Sequence, residues 1–237
     1  FCLGLTTASP IFASSTKLVG SKLAFEQHTI TAPFKVILPV IALDIITDKE
    51  STIDELVVIG EDESKQTWLA VYAFHEKTNN FILADKMVLP DEYFAFDVSE
   101  NLEGLYFLAK NKVVSLAYND PIQKDSSLKS GLHLQHKQDV DSIFLINKSS
   151  FITKKDFIQD INKDGSDDIV LPDFEQTNLW LSSKNEQAYI YQHLAINTQA
   201  ELSRGGIDFR PISLFYADFN LDSRQDIAWI SKGSINY

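Results

Sequence analysis

Cysteine, methionine and basic side chains are the scarce residues of this chain. Its 237 residues include one Cys and one Met, Cys2 and Met87. A lone cysteine leaves no pair for a disulfide and no later thiol to act as a nucleophile beside a histidine. Lys and Arg number 21 against 33 Asp and Glu, a formal net charge of −12. That balance argues against a nucleic-acid or anionic-membrane surface, both of which need a basic patch. It is compatible with binding divalent cations. Glycine (9) and proline (7) are few and charged residues make up 23%, so wholesale disorder is not expected. No later stretch approaches the roughly 18 continuous apolar residues that cross a bilayer. Catalytic signatures are missing too: the chain has no G-x-S-x-G elbow, H-E-x-x-H pair or P-loop. It is expected not to be an enzyme.

Apolar residues are plentiful. They form 44% of the chain, with 16 Phe and 8 Tyr, enough for a sizeable core and suited to strands. Residues 1–13 read FCLGLTTASPIFA and stop at Ser14-Ser15-Thr16-Lys17. This resembles the distal half of a signal peptide, with Ala13 near the cleavage point; an N-terminal strand is the other reading. Cys2 lies inside that segment, in the wrong context for a lipid anchor. The product is expected to be exported and free of a transmembrane segment. It is placed in the periplasm, at the cell surface or in the medium.

After residue 30 helical periodicity gives way to short apolar runs between polar turns, the pattern of an all-β domain. Examples are Leu56–Ile59, Trp68–Phe74, Leu105–Leu108, Ile143–Ile146, Ile169–Leu171, Leu179–Leu181 and Ile227–Ile230. An Asp followed by a polar loop and an apolar strand recurs at Asp44, Asp97, Asp160 and Asp218, with spacings of 53, 63 and 58 residues. A unit of this length holds about four short strands, one blade of a β-propeller. The expected layout is an N-terminal segment at 14–33 followed by blades over 34–237. Those over 34–150 are degenerate, those over 151–237 carry ion loops, and the last is truncated. Propellers close with roughly four to eight blades, so the chain is expected to be the N-terminal piece of a longer protein, with further domains beyond it.

One segment carries chemistry. In Asp160-Ile161-Asn162-Lys163-Asp164-Gly165-Ser166-Asp167-Asp168, side-chain oxygens stand at 160, 162, 164 and 168, and Ser166 can offer its backbone carbonyl. Calcium (Ca2+) takes six to eight oxygens at about 2.3–2.6 Å, and a tightly curled loop with this spacing aims alternate residues inward. Gly165 falls where the curl demands a positive φ. An EF-hand is excluded, because the twelfth position is Leu171 and a strand-like run follows. Asp168 must then supply the closing carboxylate, and affinity is expected to be weak, on the order of 10⁻⁴–10⁻³ M. The second copy offers Asp218, Asn220, Asp222, the carbonyl of Arg224, and Asp226, with Ser223 in place of the glycine. A solvated acidic turn is the alternative for both.

The segment DINKDGSDDIVL resembles the D-x-N-x-D-G-x-x-D-[IL]-[VA] signature of FG-GAP/VCBS repeats. These form blades in integrin-α-like propellers and in many bacterial exported proteins. The resemblance is strong from about residue 150 onward and weak from 34 to 150. It implies a propeller of about 55–60-residue, four-stranded blades whose calcium is structural. The copies at Asp44 and Asp97 have Ile46 and Leu105 at would-be ligand positions and are expected not to bind metal.

Other signals carry less. His133 and His136 are three apart, so on a strand they face opposite sides. Arg204-Gly205-Gly206 reads as a loop. A carbohydrate platform of Trp68, Trp180 and Trp229 is the alternative to core packing, which is favoured because Trp180 and Trp229 stand at similar points after their loops. Paired carboxylates for glycoside chemistry leave no local mark. The leading functional expectation is a non-catalytic scaffold for a protein or glycan ligand. The alternatives are the propeller part of a secreted enzyme acting on polysaccharide, a lyase or hydrolase, or of a large secreted toxin.

Overall fold

The protein is described by a computed structural model. It describes residues 11–19, 22–30, 32–38, 41–43, 55–99, 104–118, 131–142, 152–173, 176–183, 186–196, 199–203, 206–210, 214–222, 226–231 and 234–236. Cys2, Asp44, Ile46, the run Ile143–Ile146, Arg204, Gly205, Ser223 and Arg224 lie outside the described residues. The chain divides into two compact units. One is built from 1–91, 102–104 and 116–135, the other from 92–101, 105–115 and 136–237.

Every regular element among the described residues is a strand. The first unit opens with the hairpin of β1 (Ile11–Val19) and β2 (Lys22–Ile30), in which Ile11, Phe12 and Ala13 pair with Ile30, Thr29 and His28. A sheet follows from β3 (Lys35–Val36), β4 (Ile41–Leu43), β5 (Glu55–Glu61), β6 (Thr67–His75) and β7 (Asn80–Val88). β3 and β4 share one edge of β5, and β6 and β7 follow antiparallel in chain order. Its core gathers Ile30, Leu56, Val58, Ala70 and Tyr72, with Phe34, Val36 and Phe81 against it.

The next sheet comprises β8 (Ala95–Val98), β9 (Leu105–Leu108), β10 (Lys112–Tyr118) and β11 (Leu132–Asp139) in chain order, with β12 (Thr153–Lys154) parallel to β8. Then come β13 (Ile158–Gln159), β14 (Asp168–Pro172), β15 (Thr177–Ser183) and β16 (Glu186–Leu194), again a meander in chain order. The hairpin of β17 (Gln199–Ser203) and β18 (Gly206–Arg210) precedes a three-stranded sheet of β19 (Leu214–Ala217), β20 (Asp226–Ser231) and β21 (Ser234–Asn236). The second unit's core holds Phe94, Tyr106, Leu108, Phe157, Ile158, Ile169, Leu171 and Trp180.

Burial follows composition. β9 and β14 are buried at every residue and β5 at all but Glu61. Such runs suit strands covered on both faces. By contrast β7 has no buried residue and β11 only Leu132. The expected all-β class is thus observed, as several antiparallel sheets; no closed propeller is formed by the described residues.

Gly60 in β5 is fixed by close approach. A Cβ there would stand 2.4 Å from the Lys35 carbonyl oxygen and 2.4 Å from the Phe34 ring. The ring can turn aside but the backbone oxygen cannot. Gly60→Ala is expected to lower unfolding stability by about 1–3 kcal/mol through overpacking, measured as a shift of the urea midpoint at unchanged slope.

Candidate metal centre

The turn between the first and second strands repeats in the structure as it does in sequence. Gln159 pairs with Asp168 and Ala217 with Asp226, a span of nine positions in each case. Asp97 pairs with Tyr106 at the same span. There, however, the ladder runs one pair further, to Val98 with Leu105, a span of seven, so this turn closes more tightly than the two ion loops. Between β4 and β5 the innermost pair is Leu43 with Glu55, a span of twelve.

The first loop is held by its own side chains. Asp160 accepts from the N–H of Asp164 (3.0 Å) and of Gly165 (2.8 Å). Asn162 Oδ1 accepts from the same Asp164 N–H at 2.9 Å, while its amide donates to Asp164 Oδ2 at 3.2 Å. Asp164 Oδ1 in turn accepts from Ser166 N–H at 2.8 Å. Gly165 has φ 79° as the curl requires, and Lys163 also takes a left-handed φ of 56°. Asp168 is fully buried and accepts from Ile161 N–H (3.0 Å) and from Ser182 N–H in β15 (2.7 Å).

The second loop repeats this network 58 residues on. Asp222 N–H donates to Asp218 (3.0 Å) and to Asn220 Oδ1 (2.9 Å), and the Asn220 amide reaches Asp222 at 3.4 Å. Asp226 accepts from Phe219 N–H at 3.0 Å and from Asn220 N–H at 3.3 Å. Leu221, the counterpart of Lys163, has φ 63°.

The structure thus brings Asp160, Asn162 and Asp164 together at one curl and Asp218, Asn220 and Asp222 at another, each closed by Asp168 or Asp226. Among the described residues no group of three or more His, Cys, Asp or Glu side chains is placed to hold a metal ion. The third oxygen donor of each curl is an asparagine. Asp160 Oδ1 and Asn162 Oδ1 converge on a single N–H, so those oxygens already point to one place. A carboxylate has about four acceptor positions, and the N–H groups of Ser182, Ile161 and Asn162 take three of those on Asp168. In donor type and order the residues fit calcium, a hard cation that prefers oxygen.

Two carboxyls are displaced upward. Burial pushes Asp168 to about 6 against the pull of Ser182, Ile161 and Asn162 N–H, with Asp164 adding to the rise. Burial likewise pushes Asp97 to about 6, although the N–H groups of Ile158, Phe157 and Val98 and the Lys154 ammonium oppose it. Asp97 Oδ2 accepts from Phe157 N–H (2.7 Å) and Ile158 N–H (2.8 Å), the entry to β13.

Three other contacts escape a reading of the sequence. Tyr106 donates to Asp167 Oδ2 at 2.7 Å across 61 residues. Tyr216 has its hydroxyl buried with no hydrogen-bond partner among the described residues, and burial, with the Asp156 and Asp97 charges, raises its pKa. The left-handed Leu221 is the third, since leucine carries no turn signal. His133 and His136 have separate partners, the Gly131 carbonyl and Asp139. Trp180 is buried in the third strand of its sheet and Trp229 lies in the second strand of its own. They do not share a repeated position. Among the described residues no helix is long and apolar enough to cross a membrane. Comparison of the chain with family models, curated proteins and solved structures returns no match to any of them.

Two outcomes follow from these geometries. A left-handed φ costs a leucine roughly 1–2 kcal/mol, whereas asparagine tolerates it. Leu221 is 85% exposed, so Leu221→Asn loses little packing and is expected to gain about 0.5–1 kcal/mol in thermal unfolding. For Asp97 the folded state binds its proton more tightly than the unfolded chain does. The stabilisation is therefore complete below about 3.8, the unfolded value, and lost as pH rises through about 6. In calcium-free buffer the unfolding midpoint should fall across that window, and Asp97→Asn should reduce the slope by one proton.

Proposed function

We propose that the chain is part of an exported, calcium-stabilised β-propeller of the FG-GAP/VCBS kind that serves as a non-catalytic scaffold for a protein or glycan ligand. The observation that carries this reading is the pair of loops. Two stretches 58 residues apart adopt one hydrogen-bond network at one place in their sheets, between the first and second strands.

Three further features support it. Strands β5–β7, β8–β11, β13–β16 and β19–β21 are each antiparallel in chain order, the connectivity of propeller blades. Within the second unit the first strands neighbour one another: β8 pairs with β12, and Asp97 takes the N–H groups that begin β13. The charge of −12 suits a calcium-rich exterior. In this reading Asp160, Asn162, Asp164, Asp168 and the Ser166 carbonyl hold the first ion. Asp218, Asn220, Asp222, Asp226 and the Arg224 carbonyl hold the second. Calcium supplies positive charge where several carboxylates converge, and the side chains supply the order in which the loop closes.

Calorimetric titration with calcium tests the proposal. One or two ions should bind with Kd on the order of 10⁻⁴–10⁻³ M. At roughly 10 mM calcium, each should add about 1.5–2.5 kcal/mol of stability. Asp164→Ala should abolish the first site and its share of the thermal shift. Absence of saturable binding, with a melt indifferent to chelator, would reduce both loops to acidic turns.

A further inference from the structure

Next to the innermost pair of the degenerate turn between β8 and β9, Val98 with Leu105, Tyr106 pairs with Asp97. Its ring is buried, 7% exposed, among the core residues of the second unit. Its hydroxyl leaves that core to donate to Asp167 Oδ2 at 2.7 Å. Burial and the Asp167 charge both raise the phenol's pKa, so it is a neutral donor at any working pH.

Asp167 lies between Ser166 and Asp168, in the closing half of the first loop. The opening half is tied to itself through Asp160, Asn162 and Asp164. Asp168 is anchored to β15 through Ser182. Tyr106 is the anchor from the preceding sheet, and it fixes the segment that must present the Ser166 carbonyl and the Asp168 carboxylate together.

We propose that Tyr106 is a positioning residue for the first calcium loop: it pre-orders the Ser166–Asp168 segment from the neighbouring sheet and so sets the affinity of that loop above what its own residues would give. This inference rests on the calcium reading above. It assigns a use to the strand that leaves the degenerate turn, whose Tyr106 reaches the loop of the next sheet.

The test uses the full chain with calcium as the only ligand. The second loop is silenced by Asp222→Ala so that titration reports the first. Adding Tyr106→Phe, which keeps the ring in the core, is expected to weaken binding by about tenfold, the effect of losing a hydrogen bond to a charged group. Asp167→Ala should weaken it similarly, and the two together no further. In the reciprocal background, Asp164→Ala, Tyr106→Phe should leave the second loop unchanged. An affinity within twofold of the parent would overturn the proposal, as would an equal loss at both loops, which would mark a general loss of packing. Failure of the Asp222→Ala parent itself to bind calcium would overturn the calcium reading first, and this inference with it.

Discussion

Carboxylates that accept backbone N–H groups are the interaction on which this structure depends. A strand edge or tight turn leaves amides that no ladder partner reaches, and burying them unpaired is costly. Here aspartates meet that need in consecutive pairs. Asp97 takes the N–H groups of Phe157 and Ile158, and Asp85 those of Gly131 and Leu132. Asp62 takes those of Ser64 and Gln66 while also receiving the Trp68 indole. The dependence is sharpest at β13. Only Ile158 and Gln159 pair with β14, far too few for a strand to hold by itself. Asp97 secures the amides at its start, and Asp160 and Asp168 secure the turn that follows.

The same device has an electrostatic cost, which the fold places unevenly. Asp97 and Asp168 are buried, and burial outweighs their hydrogen bonds, so both carboxyls titrate near 6 rather than near 4. Asp160, Asn162 and Asp164 stay at the surface, where water screens them. A cation at the curl would thus meet two kinds of donor. The exposed ones are held only by bonds within the loop, and the buried one is fixed by three backbone bonds. Lys154 lies 3.8 Å from Asp97 Oδ1 and 3.4 Å from Asp156. It supplies the degenerate turn with a protein cation at the place where negative charge collects.

Much of this arrangement was legible in the sequence. The apolar runs at Leu56–Ile59, Leu105–Leu108 and Ile169–Leu171 fall in buried second strands, because continuous hydrophobicity is a local property that survives folding. Gly165 declared its left-handed φ for the same reason. What escaped was set by partners distant in the chain. Asp97 was available as a loop ligand by type, yet its carboxylate is spent on β13. Trp180 and Trp229 look equivalent when counted from their loops' apolar runs, but they stand in different strands, because only pairing tells where a second strand ends and a third begins.

A repeated frame need not repeat its chemistry. The two ion loops share their nine-residue span, Gln159 to Asp168 and Ala217 to Asp226, whereas the β8–β9 turn closes at Val98 with Leu105. Sheets of this size cannot hide their apolar faces alone and must lean on neighbours. A side chain beside a turn can therefore serve its own loop, as Asp168 does toward Ile161, or reach the loop next door, as Tyr106 does to Asp167. In the proposed reading the copy at Asp97 is then not a failed ion loop but a support for the one that follows it.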